Sequence, residues 1–465
     1  MMAEATIDLA IIGAGPAGLS AATEARALGL SVALFDEQPA PGGQIYRNVT
    51  QPRGTLQARV LGRDYAAGRP LAEAFLVSGA AYHPASTVWR IGADGLSFTT
   101  PEGGGDLAAR HVLVATGAME RPFAVPGWTL PGVMTAGAAQ ILLKTTGSLA
   151  EGAVFAGCGP LLYLVACQYL QAGARIAAIL DTTPKGAFAA ALPHLPRALR
   201  QPGLLWKGAG LLAKLRRSGV PIHRNVAALR FEGDTALARV CWTSAGRDQS
   251  LDSHQVFLHH GVIPNPNMTM AARAAHRWDA AQAAFVVACD AYGRTSQDWL
   301  WVAGDGGGIA GARAAALSGR IAARAIARDL GRMAADPAAL LPHLARETAA
   351  RPFLDRLYRP SPHFLAPRDD ATLLCRCEEV TRGALARAVA EGCPGPNQFK
   401  AFTRAGMGPC QGRMCGTTIA QVFADLTGQE PQNAGYYRIR MPVKPVTVGE
   451  IAGLPRPAQD RARGQ

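Results

Sequence analysis

Four cysteines near the C-terminal end stand in two close pairs, Cys375-x-Cys377 and Cys410-x4-Cys415, with 32 residues between the pairs. Four thiolates spaced in this way can ligate a [2Fe–2S] cluster, with two sulfurs per iron, or a single zinc ion. Zinc sites usually contain C-x2-C, which neither pair has, and each pair precedes a predicted helix whose positive end would face an anionic cluster. The spacing therefore favours an iron–sulfur cluster, with zinc and unligated cysteines as the alternatives. Cys393 lies outside both pairs and is predicted to be structural.

Glycines near the N-terminus are spaced for a different ligand, a dinucleotide. The apolar run 7–12 predicts a buried strand, and G-x-G-x-x-G follows it as Gly13-Ala14-Gly15-Pro16-Ala17-Gly18. In this motif the glycines allow a tight turn, a close approach to pyrophosphate, and close packing of the next helix. That helix is predicted over 17–28, with its positive end at the phosphates. The second strand, 31–35, ends at Asp36 and Glu37, and Asp36 is favoured as the ribose-binding acid because it comes first.

Three later segments are predicted to reach the same ligand. A loop carries Gly43-Gln44 and Arg47, a buried strand over 111–115 ends in Thr116-Gly117, and a strand over 299–303 ends in Gly304-Asp305. Each segment alone could be an ordinary turn, but a flavin-length ligand needs contacts from three strand ends, so together they indicate FAD. The predicted FAD-binding residues are Gly13, Ala14, Gly15, Pro16, Ala17, Gly18, Asp36, Glu37, Gly43, Gln44, Arg47, Thr116, Gly117, Gly304 and Asp305.

The order of strand, glycine turn, helix and strand predicted for residues 7–36 is repeated over residues 153–181. A predicted strand, a turn with Gly157 and Gly159, a helix over 161–172 and a strand ending at Asp181 indicate a second Rossmann-type unit. The third glycine of the motif is replaced by Leu162, which would hold the helix further from the strand. The second unit could therefore bind NAD(P) poorly, bind another nucleotide such as ATP through Gly157, Gly159 and Asp181, or be a structural remnant.

Composition limits the classes of protein that need consideration. The 465 residues predict roughly three domains, at about 150 residues each, and 49% hydrophobic residues argue against wholesale disorder. The net charge is +13, but no basic motif interleaved with aromatic residues predicts nucleic-acid binding. We find no secretory signal, and the uncharged stretch 152–174 is interrupted by glycines and a proline. These features predict a soluble cytoplasmic protein without integral membrane contact.

Two further features invite functional interpretation. Residues 184–217 contain seven lysines and arginines and no acid. They predict a solvated helical face or, as the alternative, a surface that docks another protein. The adjacent His259 and His260 suggest a metal or acid–base site, but neighbouring strand residues face opposite sides. Since no acid or cysteine is nearby in the sequence, no such role is predicted for them.

The predicted fold is α/β, with two Rossmann-like dinucleotide-binding domains of the FAD/NAD(P)-linked reductase type and a small helical C-terminal domain. The second Rossmann-like domain is predicted to be inserted in the first. Residues 50–75 are predicted to be helical and 80–110 to form short antiparallel strands. The predicted divisions are 1–125 with 255–330 for FAD, 126–254 for the insert, 331–370 for a linker, 371–430 for the cysteine domain, and 431–465 for a tail.

These residues together resemble a known family, the alpha or A subunit of bacterial heteromeric FAD-dependent amine dehydrogenases and oxidases. Its members include opine oxidases, D-hydroxyproline dehydrogenase alpha and, more distantly, hydrogen cyanide synthase and sarcosine oxidase alpha. The resemblance rests on the segments 13–18, 36–47, 115–122, 157–162, 304–305 and 375–415. It implies a C-terminal module similar to bacterioferritin-associated ferredoxin (BFD-like), although those ferredoxins end in C-x2-C rather than C-x4-C.

The resemblance also implies partners. An amino-acid-oxidase-like flavoprotein beta subunit would oxidise the small-molecule amine, and a further small ferredoxin-like subunit could accompany it. This chain would relay electrons through FAD and the [2Fe–2S] cluster, and no catalytic acid or base is assigned to it. The alternatives are a stand-alone NAD(P)H-dependent flavin reductase that feeds the cluster, and a non-catalytic nucleotide-binding scaffold. The sequence leaves the amine or imino acid, the final acceptor and the stoichiometry open.

Overall fold

A computed structural model describes residues 6–52 and 54–454 of the chain. Its strands are β1 Ile7–Ile12, β2 Val32–Phe35, β3 Ala81–His83, β4 Thr87–Gly92, β5 Gly95–Thr100, β6 Gly103–Val114, β7 Ala118–Glu120, β8 Val133–Thr135, β9 Ala153–Cys158, β10 Ile176–Asp181, β11 Ile222–Arg224, β12 Val226–Glu232, β13 Arg239–Ser244, β14 Arg247–Asp252, β15 Val256–His260, β16 Val262–Pro264, β17 His276–Asp279, β18 Ala284–Val287, β19 Leu300–Val302, β20 Leu373–Cys375 and β21 Val380–Thr381.

Helices connect and cover these strands. They are α1 Pro16–Ala27, α2 Thr55–Ala66, α3 Arg69–Leu76, α4 Ala136–Thr145, α5 Pro160–Ala172, α6 Ala187–Ala191, α7 Leu195–Ala198, α8 Pro202–Arg217, α9 Asn267–Ala271, α10 Ala312–Asp329, α11 Leu341–Glu347, α12 Arg351–Leu357, α13 Pro362–Leu365, α14 Arg382–Ala390, α15 Pro396–Thr403, α16 Gly416–Thr427, α17 Pro431–Ala434 and α18 Val448–Ala452. No helix in the described ranges is long and apolar enough to cross a membrane.

The first sheet contains seven strands in the order β3-β2-β1-β6-β5-β4, with β19 beside β6. The strand β1 lies parallel to β2 and β6, β3 lies parallel to β2, and β19 lies parallel to β6, so five carboxyl ends meet at one edge. The antiparallel strands expected over 80–110 form only in part, because β3 is parallel to β2. The run 103–114 is one long strand that pairs with β5 through its first half and with β1 and β19 through its second.

The second sheet has the order β11-β10-β9-β15-β8, and all its strands are parallel. A three-stranded antiparallel sheet, β12-β13-β14, lies between β11 and β15 in the chain. The second sheet is built entirely from residues between β7 and β16, which confirms the predicted insertion of one Rossmann-like unit in another. Its strand β15 lies beyond the predicted end of the insert at residue 254. The uncharged stretch 152–174 is the buried strand β9 followed by the buried helix α5.

Close packing of two helices holds the first sheet together. A Cβ atom on Gly319 of α10 would lie 2.1 Å from the carbonyl oxygen of Ala17 in α1, so the two helices approach at backbone distance. Glu24 of α1 ties the pair, because its carboxylate accepts hydrogen bonds from Arg320 at 2.9 Å and Arg324 at 2.5 Å. The strand β19 and the helix α10 therefore return to the first unit after the insert.

The C-terminal module packs against the first unit and is crossed by a returning segment, residues 435–444. Tyr437 and Val443 of this segment lie in the same buried cluster as Cys375 and Cys415. Beyond that cluster, the N–H of Val443 donates to the carbonyl oxygen of Trp89 at 3.0 Å. The predicted tail 431–465 is thus partly a packed segment, while residues 455–465 lie outside the described residues.

Candidate functional site

The glycine turn between β1 and α1 has the geometry that a dinucleotide site requires. Gly13 has φ +108°, and a Cβ there would lie 2.5 Å from the carbonyl oxygen of Ala115. A Cβ on Gly18 would lie 1.9 Å from the carbonyl oxygen of Gly13, so this glycine allows α1 to approach β1. A Cβ on Gly15 would meet only the Cα of Gly43, at 4.0 Å, so open space lies above the middle of the turn. Pro16 begins α1.

Two buried polar atoms beside this turn have no partner within the described part of the chain. They are Oγ1 of Thr116 and Oδ1 of Asn265. The N–H of Asn265 donates to the carbonyl oxygen of Gly117 at 3.3 Å, which places Asn265 next to the predicted Thr116-Gly117 segment. Buried polar atoms are normally hydrogen-bonded, so these two fit a polar ligand such as FAD at this edge. Asn265, which follows the buried strand β15 and the short β16, is not among the residues predicted from the sequence.

Asp36 lies at the tip of β2, and Glu37 turns away from it. The two carboxylate oxygens of Asp36 accept hydrogen bonds from the N–H groups of Ala14 at 2.5 Å and Gln38 at 2.7 Å. Burial raises the pKa of Asp36, and these two N–H groups oppose that effect. Each oxygen keeps a further lone pair that a ribose hydroxyl could use. Glu37 instead pairs with Lys444 at 2.6 Å, so the structure does not bring it to the glycine turn.

The loop after β2 closes over the same turn. A Cβ on Gly43 would lie 2.7 Å from the Cα of Gly15, so the backbones of these two glycines pack directly against each other. Nη2 of Arg47 donates to Oε1 of Gln44 at 3.0 Å. The buried Lys144 of α4 donates to the carbonyl oxygens of Gln44 and Ile45 at 3.0 and 2.9 Å. Lys144, which was not predicted, therefore fixes the position of the loop from the start of the second unit.

Gly304 and Asp305 follow β19 and reach the other side of the turn. A Cβ on Gly304 would lie 2.8 Å from the Cβ of Ala17, so this glycine contacts the first turn of α1. Oδ1 of Asp305 accepts hydrogen bonds from the N–H groups of Ala310 and Gly311 at 2.8 and 2.9 Å. The structure thus brings the predicted segments at 13–18, 43–47, 116–117 and 304–305, together with Asp36, to one edge of the first sheet.

The equivalent edge of the second sheet is arranged differently. Leu162 is fully buried in the core. The carboxylate of Asp181 accepts hydrogen bonds from the hydroxyl of Tyr163 at 3.0 Å and the N–H of Thr183 at 2.9 Å. A Cβ on Gly157 would clash with the backbone of His259, and one on Gly159 would lie 3.3 Å from the His259 ring. The predicted nucleotide contacts Gly157, Gly159 and Asp181 therefore lie at the same edge of the second sheet as His259.

The expectation that no acid lies near His259 is wrong. Nδ1 of His259 lies 2.7 Å from Oε1 of Glu120, and Oε2 of Glu120 accepts a hydrogen bond from the N–H of Gly137. Glu120 belongs to β7, which pairs with β16 across some 140 residues of sequence, so spacing could not reveal it. His260 faces the other way, as predicted, and stacks on Phe123.

The four cysteines of the C-terminal module form two pairs, and each pair contains one cysteine from each of the two sequence motifs. Cys375 is hydrogen-bonded to Cys415, and Cys377 to Cys410. The hydrogen bond from Cys415 is the main cause that lowers the pKa of Cys375 to about 6. The N–H of Gly406 also donates to its sulfur, at 3.4 Å. A thiolate held by N–H donors has the character of a metal ligand.

The described residues contain no group of three or more His, Cys, Asp or Glu side chains set as the ligands of a metal ion. The donor set at the cysteines is nevertheless soft and thiolate-forming, which suits iron–sulfur or zinc chemistry. Cys377 is exposed, while Cys375 and Cys415 are buried. The thiol of Cys393 donates to the carbonyl oxygen of Gly395 at 3.5 Å.

Hydrogen bonds join this module to the first unit. Nδ2 of Asn267 donates to the carbonyl oxygen of Gln411, in the loop between Cys410 and Cys415, at 2.8 Å. Nε2 of Gln421, in the helix that follows Cys415, donates to the carbonyl oxygen of Ala283 at 3.0 Å. Since Asn267 lies two residues beyond Asn265, the cysteine loop and the predicted flavin edge share one short stretch of chain.

Comparisons with known proteins place the chain among redox proteins. Residues 7–319 match the family described as pyridine nucleotide-disulphide oxidoreductase, and residues 371–454 match the sarcosine oxidase A3 domain. The A subunit of opine oxidase from Rhizobium meliloti is 44% identical over 97% of this chain and 88% of its own length. The HcnB subunit of hydrogen cyanide synthase from Pseudomonas aeruginosa is 32% identical, over 96% of this chain and 98% of its own. The crystal structure of L-proline dehydrogenase from P. horikoshii shares the fold, with TM-score 0.73 and 20% identity over 96% of this chain and 79% of that one.

Proposed function

Because this chain belongs to the pyridine nucleotide-disulphide oxidoreductase family, and within it to the group of opine oxidase A subunits, we propose that it is the electron-relaying subunit of an amine dehydrogenase. It would carry FAD and a [2Fe–2S] cluster. Its complex would oxidise a secondary amine or imino acid, such as D-hydroxyproline or an opine. Electrons would come from an amino-acid-oxidase-like flavoprotein beta subunit, and a small ferredoxin-like subunit could accompany it.

The pairing of Cys375 with Cys415 and of Cys377 with Cys410 is the observation that carries this proposal. Cys375 interacts with Cys415 and with Cys377, Cys410 interacts with Cys377 and with Cys415, and hydrogen bonds lower the pKa of Cys375 to about 6. Two pairs of thiolates match the two ligands that each iron of a [2Fe–2S] cluster needs. The hydrogen bond from Asn267 to Gln411 supports a short path between this site and the flavin edge.

The first unit supplies the proposed FAD contacts. Gly15 leaves room for a pyrophosphate, Asp36 keeps acceptors for a ribose, and Thr116 and Asn265 offer unsatisfied polar atoms. A bound flavin takes up two electrons and can release them one at a time. The residues named above would bind this flavin and orient it.

The second unit weighs against a stand-alone NAD(P)H-dependent flavin reductase. Leu162 occupies the third glycine position, and Tyr163 and Thr183 engage the carboxylate of Asp181. Rapid bleaching of the flavin by NADH or NADPH in the isolated chain would favour the reductase. Co-purification of a nucleotide such as ATP, without any catalytic turnover of the complex, would favour the scaffold alternative.

Cofactor analysis tests the proposal directly. The chain purified without oxygen should contain one FAD and about two irons and two sulfides per chain. On reduction it should give the electron paramagnetic resonance signal of a one-electron iron–sulfur centre. Zinc in place of iron, or neither metal, would contradict the cluster. An amine and imino-acid screen on the native complex, with the partner identified by mass, tests the substrate class and the beta subunit.

A further inference from the structure

The corner where α7 turns into α8, residues 197–207, presents large apolar side chains to solvent. The exposed fractions are 58% for Leu199, 43% for Leu204 and 77% for Trp206. These three lie within eight consecutive residues. Scattered exposed apolar residues are ordinary, but a group that includes an exposed tryptophan is typical of an interaction site.

The stretch of chain that contains this corner is rich in positive charge. Between Asp181 and Glu232 the chain has nine lysines and arginines and no acid. Lys207 pairs with Asp64 of α2. The exposed Arg197 and Arg200 form no ion pair with the residues that the structure describes, and they stand on either side of Leu199 in the sequence.

The corner is held rigidly from its inner side. Nε2 of Gln201 donates to the carbonyl oxygen of Glu347 at 2.9 Å, and Oε1 of Gln201 accepts from the N–H of Ala350 at 3.2 Å. The inward-facing Ala198 is fully buried against Phe353 of α12, with Leu205 packed beside them. The exposed side chains are therefore presented on a fixed surface, which lowers the entropy lost on binding.

We propose that this corner is the docking surface for the partner flavoprotein subunit, with Trp206 as its anchor in an apolar pocket and Arg197 and Arg200 against acidic side chains. This inference rests on the partner proposed above but does not depend on either cofactor. Sustained positive charge calls for a partner face of negative charge. Trp206 is the last exposed large apolar side chain in α8, and the small residues Gly208, Ala209 and Gly210 come soon after it. So short an exposed apolar segment fits a protein pocket better than a lipid surface, which a longer apolar stripe would suit.

The docking surface also gives the second Rossmann-like unit a role. The helix α8 packs on α5, the helix that follows the glycine turn of that unit, and the thiol of Cys167 in α5 contacts the carbonyl oxygen of Leu211. The inserted unit would then serve as a platform for assembly, and this role does not require a bound nucleotide.

The test is to purify the tagged full-length chain from cells that make the native complex and to measure how much partner flavoprotein is retained. Mass spectrometry identifies the flavoprotein. Replacing both Leu199 and Trp206 by Ser should weaken its retention at least about tenfold. Arg200→Glu should weaken retention and reduce its sensitivity to salt. Val77→Ser is the matched control, because Val77 is 85% exposed beside α3 and has no cation next to it in the sequence. All variants should keep FAD and the melting temperature of the parent chain.

Several results would overturn the assignment. Full retention of the flavoprotein by the double variant refutes the docking surface and leaves the proposed function intact. Absence of any amino-acid-oxidase-like flavoprotein from the wild-type complex refutes the proposed partner and the docking surface together. Trp206-dependent flotation with vesicles of phosphatidylcholine and phosphatidylglycerol, with partner retention unchanged, would identify a membrane contact instead. Trp206-dependent self-association in sedimentation would identify a second copy of the chain.

Discussion

Gln282 and Ile309 exchange two hydrogen bonds across 27 residues of sequence. Nε2 of Gln282 donates to the carbonyl oxygen of Ile309 at 3.0 Å, and the N–H of Ile309 donates to Oε1 of Gln282 at 2.9 Å. The backbone of Gln282 is held in turn by the buried Arg121 at 2.5 Å. This pair fixes the loop that begins at Gly304 and Asp305, so the proposed flavin edge depends on a residue outside every predicted contact.

Replacing Gln282 by Ala should release this loop. Two hydrogen bonds at about 1 kcal/mol each would be lost, and we expect FAD to dissociate at least about tenfold more readily. Fluorescence of released FAD measures the effect. Gln255→Ala is the control. It removes a hydrogen bond from a side-chain amide to the carbonyl oxygen of Gly132 in the second unit, and it should leave FAD affinity unchanged. Equal effects of the two variants would contradict a specific role for Gln282.

Two glycines of the first turn should respond differently to the same small substitution. Gly15→Ala adds a Cβ into open space, so the protein should keep its apo melting temperature and bind FAD at least about tenfold more weakly. Gly18→Ala places a Cβ 1.9 Å from a backbone oxygen and should lower stability even without FAD. Thermal unfolding of apo-protein and FAD titration separate the outcomes. Tight FAD binding by the Gly15 variant would argue against pyrophosphate at this turn.

Loss of one thiol should remove the proposed iron–sulfur cluster without removing the flavin. Cys375→Ser deletes the low-pKa sulfur, and we expect iron and sulfide to fall to background while FAD remains. Cys393→Ser changes a buried cysteine outside the two pairs and should leave both cofactors in place. Iron retained by the Cys375 variant would require a different ligand set.

Stability should fall as the pH drops below about 6.5, in part because of His260. Burial between Phe123 and Phe364 holds the pKa of His260 well below its usual value. The unfolded chain then binds a proton that the folded chain does not, so the free energy of unfolding decreases by up to about 1.4 kcal/mol per pH unit. His260→Phe should flatten this slope in denaturant unfolding between about pH 7.5 and 5.5. An unchanged slope would show that other groups dominate the acid sensitivity.

The local parts of the fold and the site follow from sequence. Gly13, Gly15 and Gly18 lie within one strand–turn–helix unit, so their spacing alone specifies their conformations. Gly304 is recognisable for the same reason, at the end of an apolar strand. The Rossmann-like repeat is also evident, because strand, turn and helix recur in order over 153–181.

The parts that sequence could not supply all depend on contacts between distant segments. Glu120 meets His259 only because β7 pairs with β16. Lys144 reaches the loop at Gln44 from a helix about 100 residues away. Gln282 and Asn265 look like ordinary loop residues until the sheet edges are assembled. Side chains of this kind carry no periodicity and no motif, so a sequence pattern cannot reveal them.

The position of β19 has a consequence for synthesis on the ribosome. Leu300 pairs with Val112, so the segment of β6 that borders the proposed flavin edge lacks this neighbour until about 190 more residues have been made. At about 5–20 residues per second, this delay lasts roughly 10–40 s. During that interval the edge of the apolar strand β6 stays unpaired. An open strand edge can pair with a wrong segment, so the nascent chain is vulnerable to misfolding and should benefit from chaperones.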